Sequence, residues 1–158
     1  MKNIIKFLLL SIVCITTTCL QKDSENCHYS IKFTNNSEQI LYVNEHPDLY
    51  PDPFDIRNLS YFTPTQKDIK CCEEKRISYM RSCIENAYNH GRIDTLFVYI
   101  FNAEVVENMP WEIVARDYLV LKRYDLTLDD LQWLDWKITY PPTEAMKDVK
   151  MYPPYGSE

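Results

Sequence analysis

The sequence predicts a mainly β fold, a small antiparallel β-sandwich-like domain with a few short helical turns, on the strength of three stretches. Residues 28–34 alternate Tyr29, Ile31 and Phe33 against Ser30, Lys32 and Thr34, the period-two pattern of a half-buried strand. Residues 94–102, DTLFVYIFN, form the most apolar run after the N-terminal segment. Their aromatic and β-branched side chains suit a central strand covered on both faces. Residues 118–142 read as a compact apolar strand at 118–121, a capped helical turn and a closing strand stopped by Pro141 and Pro142.

The remaining elements follow in order. Asn35-Asn36-Ser37 is a turn, and residues 40–43 return as the second strand of a hairpin. Residues 45–62 carry Pro47, Pro51 and Pro53 between Asp48, Asp52 and Asp55, which prevents a regular central strand. These acids lack the spacing and the glycine of an EF-hand, so a surface connection is preferred to a calcium loop. Residues 66–74 are charged and ambiguous, and residues 77–87 have helical composition. Residues 103–108 and 110–117 read as helical turns, with Pro110 suited to a first helical position and Trp111 packing inward. Lys122, Arg123 and Asp125 are expected to return the chain to solvent. Thr127 and Asp130 have the spacing of a capping box, and Leu128, Leu131 and Leu134 mark one apolar helical face.

The chain of 158 residues suits a single domain, and its first residues stand outside it. Lys2 and Lys6 precede a short apolar core at 7–15, as in a secretory signal peptide. Thr16-Thr17-Thr18-Cys19 then places Cys19 where a bacterial lipoprotein precursor is cut and acylated, with Thr18 larger than the usual residue before that cysteine. The polar, acidic segment after Cys19 resembles the export tag of surface lipoproteins of the Bacteroidota. The expected organisation is a signal peptide at 1–18, a lipidated tether at 19–26, one β-rich domain at 27–142 and a proline-containing tail at 143–158. Residues 1–18 hold two lysines and no acid, so their removal makes the formal charge of −6 more negative by two. Such a surface repels phosphate backbones, which disfavours nucleic acid as a partner and leaves the acyl chains to hold the membrane.

Past Cys19 lie Cys27, Cys71, Cys72 and Cys83, an even set that points to disulfides in an exported domain. A bond between Cys71 and Cys72 needs a strained ring. The preferred pairing is Cys27 with Cys83, which closes a long loop. Cys71 and Cys72 are left free, bonded to each other or bridged between chains. A metal site of Cys71, Cys72, Cys83 and His90 is the weaker alternative, since no C-x-x-C spacing is present. No metal or other cofactor is expected.

The segments DTLFVYIFNAEVVE, NMPWEIVARDYLVLKRYDLTLDDLQ and WKITYPP, with the opening CHYSIKFTNNSEQILYV, resemble a family of small Bacteroidota surface lipoproteins of unknown function. The shared pattern is a strand, a proline–tryptophan turn, a leucine–lysine–arginine–tyrosine strand, an acidic helical turn and a closing tyrosine–proline strand. It covers about two-thirds of the chain after the signal. The middle, residues 45–75, departs from it, and Cys71-Cys72 looks like an addition. The resemblance implies a small mostly-β domain at the cell surface and extended structure at residues 77–87. Its arginine–x–cysteine, here Arg81-Ser82-Cys83, supports the bond to Cys27. It carries over no catalytic residue.

No G-x-S-x-G, H-E-x-x-H or P-loop is present, and His28, His46 and His90 each fall beside a turn or strand end. The expectation is a non-catalytic binding or structural module at the outer membrane surface, with a surface protein or glycan as partner. The alternative is a small exported enzyme or carbohydrate-binding accessory acting on glycans. Trp133 and Trp136, three residues apart, are the candidate aromatic face for a sugar ring, against the plainer reading that they cap the core.

Overall fold

The structure, a computed structural model, describes residues 23–47, 66–77 and 82–157. The domain is mainly β, with eight strands in two sheets and four short helices among the described residues. Strands β1 (Ile31–Asn35), β4 (Glu74–Ile77) and β7 (Lys137–Tyr140) form the smaller sheet in the order β4-β1-β7. Strands β2 (Leu41–Pro47), β3 (Gln66–Ile69), β5 (Leu96–Asn102), β6 (Lys122–Leu126) and β8 (Lys150–Tyr152) form the larger, ordered β3-β2-β5-β6-β8. Every pairing is antiparallel except β1 with β7, which run parallel.

Strand β5 is the spine of the larger sheet, as its unbroken apolar sequence predicts. It pairs with β2 from Leu41 opposite Asn102 to Pro47 opposite Leu96, and with β6 from Leu96 opposite Leu126 to Ile100 opposite Lys122. Leu96, Val98 and Ile100 face the smaller sheet and join Ile31, Phe33, Leu41, Val43, Ile77, Tyr124 and Ile138 in the main core. Phe97, Tyr99 and Phe101 point to the opposite face. There Phe101, Tyr42, Val114 and Ala115 form a second apolar cluster beneath helices α2 (Ala103–Asn108) and α3 (Trp111–Arg116). Asn102 caps α2 by accepting from the amides of Glu104 and Val105, and Trp111 meets Phe101 edge-on at 5.3 Å. Both helical turns stand where the sequence places them, except that Pro110 is the N-cap of α3 rather than its first helical residue.

The expected first hairpin does not form. Strands β1 and β2 lie in different sheets, because the turn at Asn36 and Ser37 carries the chain across the sandwich. Asn35 fixes that corner. Its Nδ2 donates to the carbonyls of Gln39 (2.7 Å) and Ile69 (2.8 Å), and its Oδ1 accepts from the amide and hydroxyl of Ser37. Its own amide donates to the Glu73 carbonyl, and its carbonyl accepts from the Cys72 amide. A fully buried side chain is thereby satisfied at every polar atom while it joins β1 to β3 across the two sheets. Tyr124 makes a second tie of the same kind, donating from β6 to the Thr139 carbonyl of β7 at 2.6 Å.

Four further expectations are corrected. The strand expected at residues 118–121 begins at Lys122 instead, and Lys122, Arg123 and Asp125 are buried rather than solvated. Arg123 and Asp125 stay inside because they answer each other, and Lys122 has a separate acceptor. Arg123 Nε donates to Asp125 Oδ1 at 2.5 Å, Arg123 Nη1 to the Tyr118 hydroxyl at 2.6 Å, and Lys122 Nζ to the Pro153 carbonyl at 3.2 Å. Burial acts to lower the Arg123 pKa, but the bond to Asp125 and the contact with Tyr118 outweigh it and raise the group above its usual range. Burial also pushes the Tyr118 phenol up to about 12. Secondly, the described residues of the expected tail, 143–157, join the domain. Met146 and Val149 are buried, and β8 adds to the sheet edge with Lys150 opposite Asp125, where the two side chains form an ion pair. Thirdly, the extended structure that the resemblance implies for residues 77–87 gives way to helix α1 (Ile84–Asn89), as the composition suggests, with β4 ending at Ile77. Fourthly, Glu45, His46 and Pro47, expected in an irregular connection, instead complete strand β2 against β5, and the rest of that Asp-Pro stretch lies outside the described residues.

Replacement of Asn35 tests the corner. Asn35→Ala leaves the Ile69 carbonyl without its donor in the core and is expected to destabilise the domain by about 3 kcal/mol in urea denaturation. Asn35→Asp, equal in shape, turns the donating edge into an acceptor facing two carbonyls. It should be at least as destabilising; a near-neutral Asn35→Asp would remove the corner from its assigned role.

Candidate functional site: the clefts on either side of His28 and Trp136

Two short segments build a surface rich in charged and polar groups. The first is the chain's entry. Ser24 and Cys27 pair backbone to backbone around a tight turn, and Cys27 is bonded to Cys83, the N-cap residue of α1. The sequence separation of 56 makes this a long closed loop. In the chain-entropy account such a closure contributes about 4 kcal/mol by restricting the unfolded chain. Beside the disulfide, the Ile84 amide donates to the His28 carbonyl at 2.7 Å. Glu85, in the first turn of α1 and nearly buried, accepts from the His28 amide at 2.9 Å and meets His28 Nδ1 at 2.6 Å. A carboxylate can only accept, so Nδ1 carries the proton in that contact and Nε2 is the ring atom left for other chemistry.

The second segment is the end of helix α4 (Leu128–Trp133). Its start is the capping box anticipated from the sequence, with Thr127 Oγ1 accepting from the Asp130 amide and the Asp130 carboxylate accepting from the Thr127 amide. Leu131 and Leu134 are buried, and Leu128 packs against them. The helix closes in a Schellman arrangement. The Trp136 amide donates to the Leu131 carbonyl and the Asp135 amide to that of Gln132, with Asp135 at φ 50°. This reversal swings Trp136 out of the helical register and onto Leu131 in the core.

The two tryptophans are therefore parted. Trp133, on the last helical turn, is 79% exposed, whereas Trp136 is 7% exposed and stacks on the His28 ring at 4.0 Å and 15°. They form no common aromatic face, because helical spacing ends between them. No glycine marks the reversal, Asp135 taking the left-handed position that glycine usually fills, so the sequence held no signal for it.

The His28–Trp136 stack divides two clefts of about 260 and 290 Å³. The first is lined by Asp23, Ser30, Lys32, Arg76, Asp135 and Lys137 around the stack. Its charges are matched in pairs, Arg76 with Asp23 at 3.2 Å, Lys137 with Asp135, and Lys32 with Glu74 at 3.6 Å. The hydrogen bond between Lys137 and Asp135 holds the carboxyl below its usual range and the ammonium above its own. These pairs are largely exposed and contribute little to stability. The second cleft lies between the entry turn and α4, with Glu25, Asn26, Asn89 and Gln132 offering amides and a carboxylate beside the stack. Ser30 Oγ donates to Asp23, and among the described residues no hydroxyl or thiol is hydrogen-bonded to His28. The arrangement thus offers a rigid imidazole and mixed hydrogen-bonding groups, which suits recognition of a polar ligand.

The other expected site residues fall apart in space. Bonding of Cys83 to Cys27 removes it from a metal set with Cys71, Cys72 and His90, and the His90 ring bonds the Asn86 carbonyl instead. Among the described residues no group of three or more His, Cys, Asp or Glu side chains is placed to hold a metal ion. His46 is buried on the helix-bearing face of the larger sheet. Cys19 lies outside the described residues. No helix among the described residues is long and apolar enough to cross a membrane. No protein-family model matches the chain, and neither a curated protein nor a solved structure matches it at a significant level.

Glu85 is the residue on which this site turns. Glu85→Ala removes the acceptor of the His28 amide and ring and is expected to lower stability by about 2 kcal/mol in thermal or urea unfolding. Glu85→Gln, which retains an acceptor, should recover part of that loss. Wild-type stability in Glu85→Ala would show that the clamp on His28 is made by the disulfide alone.

Proposed function

We propose that this chain is a lipid-anchored module of the outer membrane surface, acylated at Cys19, with a non-catalytic binding or structural role. The observation that carries this reading is the order of features at the N-terminus. A basic start, a short apolar core and Cys19 are followed within a few residues by a domain clamped at its first turn by a disulfide. Disulfides persist in oxidising compartments, which supports export. The four residues from Cys19 to Asp23 can span at most about 14 Å. An anchor at Cys19 therefore holds the entry turn, His28 and both clefts close to the bilayer surface. The acidic balance of the chain argues against nucleic acid as the partner. A surface protein or a glycan is the partner class that a half-polar, aromatic-backed cleft accommodates.

Lipidation is tested by the intact mass of the protein purified from its native membranes. A chain beginning at Cys19 with diacyl or triacyl mass is expected, and a full-length chain without acyl groups would overturn the anchor.

The glycan reading has one observation of its own, the exposed indole of Trp133. Trp133→Ala should fold with wild-type stability, within about 0.5 kcal/mol, since the ring packs on nothing it would leave empty. Titration of wild type and variant with soluble oligosaccharides separates the two outcomes. Binding lost in the variant supports a sugar platform, and equal behaviour of the two proteins removes it.

A further inference from the structure

The turn between β3 and β4 presents two neighbouring thiols, Cys71 and Cys72, both exposed and with sulfur atoms 3.0 Å apart. That is closer than two sulfurs rest without a bond or a shared proton. The turn that holds them is not loose. The Cys72 amide donates to the Asn35 carbonyl at 2.6 Å, the Glu73 carbonyl accepts from the Asn35 amide at 3.1 Å, and the Glu73 carboxylate accepts from the Lys70 amide at 3.0 Å. Cys72 itself sits at φ 62°, in the left-handed region. The shared proton pushes the Cys71 thiol above its usual range.

We propose that Cys71 and Cys72 form a thiol–disulfide exchange site, closed by an incoming disulfide into a bond between the two neighbours and readily reopened by a thiol. The thiolate of one cysteine attacks a sulfur of the incoming disulfide, breaking its S–S bond and releasing one thiol. The thiolate of the second cysteine then attacks its neighbour's sulfur in the mixed disulfide, forming the bond between Cys71 and Cys72 and releasing the second thiol. Two electrons pass from the pair to the incoming disulfide, and the two protons leave on the released thiols. The second step is fast because the resolving sulfur is already 3.0 Å from its target. The product is easily reduced for two reasons. Adjacent Cα atoms stand about 3.8 Å apart across a trans peptide, short of the usual disulfide span, so the ring is strained. A bond between neighbours also closes no loop, so it gains nothing from the unfolded chain. In both respects it is the opposite of the bond between Cys27 and Cys83, and the two differ in chemical role within one domain.

The test treats the purified full chain with oxidised glutathione, alkylates the remaining thiols and maps tryptic peptides. Lys70 and Lys75 release the two cysteines together in the peptide at 71–75. The expected result is a peptide two hydrogens lighter that has lost both alkyl tags together, regaining both under mild dithiothreitol while Cys27 and Cys83 stay bonded. Cys71→Ser and Cys72→Ser should each stop at a stable glutathione adduct. A lasting glutathione adduct on the wild-type peptide, a dimer linked through either cysteine, or a bond as resistant to reduction as that of Cys27 and Cys83 would each overturn the proposal.

Discussion

The sandwich depends on one buried amide. Two sheets between which the chain passes repeatedly need connections that change sheet without burying unsatisfied backbone, and Asn35 supplies the first. The side chain can make four hydrogen bonds and makes four, two to carbonyls and two from Ser37, while its backbone amide and carbonyl reach the turn after β3. The residue thus stands at the end of β1, the start of the crossover, the end of β3 and the approach to β4. Apolar contacts between Phe33, Val43, Val98 and Ile138 supply the mass of the core, but they are tolerant of small displacements. The hydrogen bonds of Asn35 are not, because each lost partner leaves a polar atom in an apolar interior. The same corner holds the turn of Cys71 and Cys72, so the chemistry of that exposed pair rests on a buried support.

A comparable division holds at the opposite end of β1. The disulfide brings the entry turn to the start of α1, but it does not orient His28. Orientation comes from Glu85 on one edge of the ring and Trp136 on its face. Trp136 is available only because the chain reverses at Asp135 and then donates to and accepts from its neighbours as the first residue of the return toward β7, its carbonyl taking the Lys32 amide. Covalent closure, a carboxylate and a helix terminator converge on one imidazole. That convergence fixes the geometry of both clefts before any ligand arrives, which lowers the ordering cost of binding.

Much of this was legible in the sequence where a local signal sufficed. The central strand β5, the helical turns after it, the capping box of Thr127 and Asp130 and the stop at Pro141 each follow from a few adjacent residues. Partnership between distant segments was not legible. The alternation in residues 28–34 identifies a strand but not its neighbours, so β1 and β2 read as a hairpin and the parallel contact with β7 had no sequence counterpart. Lys122, Arg123 and Asp125 read as solvated because charge usually is, and only specific partners make burial tolerable: Arg123 and Asp125 for each other, Pro153 for Lys122. The pair of tryptophans misled for a related reason, since spacing predicts a shared face only while the helix lasts. The His28 site had no local motif at all, as its carboxylate comes from 57 residues away.

The buried charges of β6 also explain why so short a final strand has a definite place. Strand β8 has three residues, too few for its ladder to resist slippage by backbone pairing alone. A shift of one residue would move Lys150 away from Asp125 and take Tyr152 off Arg123, whose guanidinium lies 5.9 Å from that ring. It would also carry the Pro153 carbonyl away from Lys122. The Arg123 and Asp125 pair adds little net stability for the desolvation it entails, but it penalises every register except one. Apolar side chains in the same positions would hold the strand as tightly and locate it less well. The polar content of β6 is therefore best understood as the means by which the C-terminal segment is read into the sheet, and the prolines that follow Tyr140 and Tyr152 mark where each pairing must end.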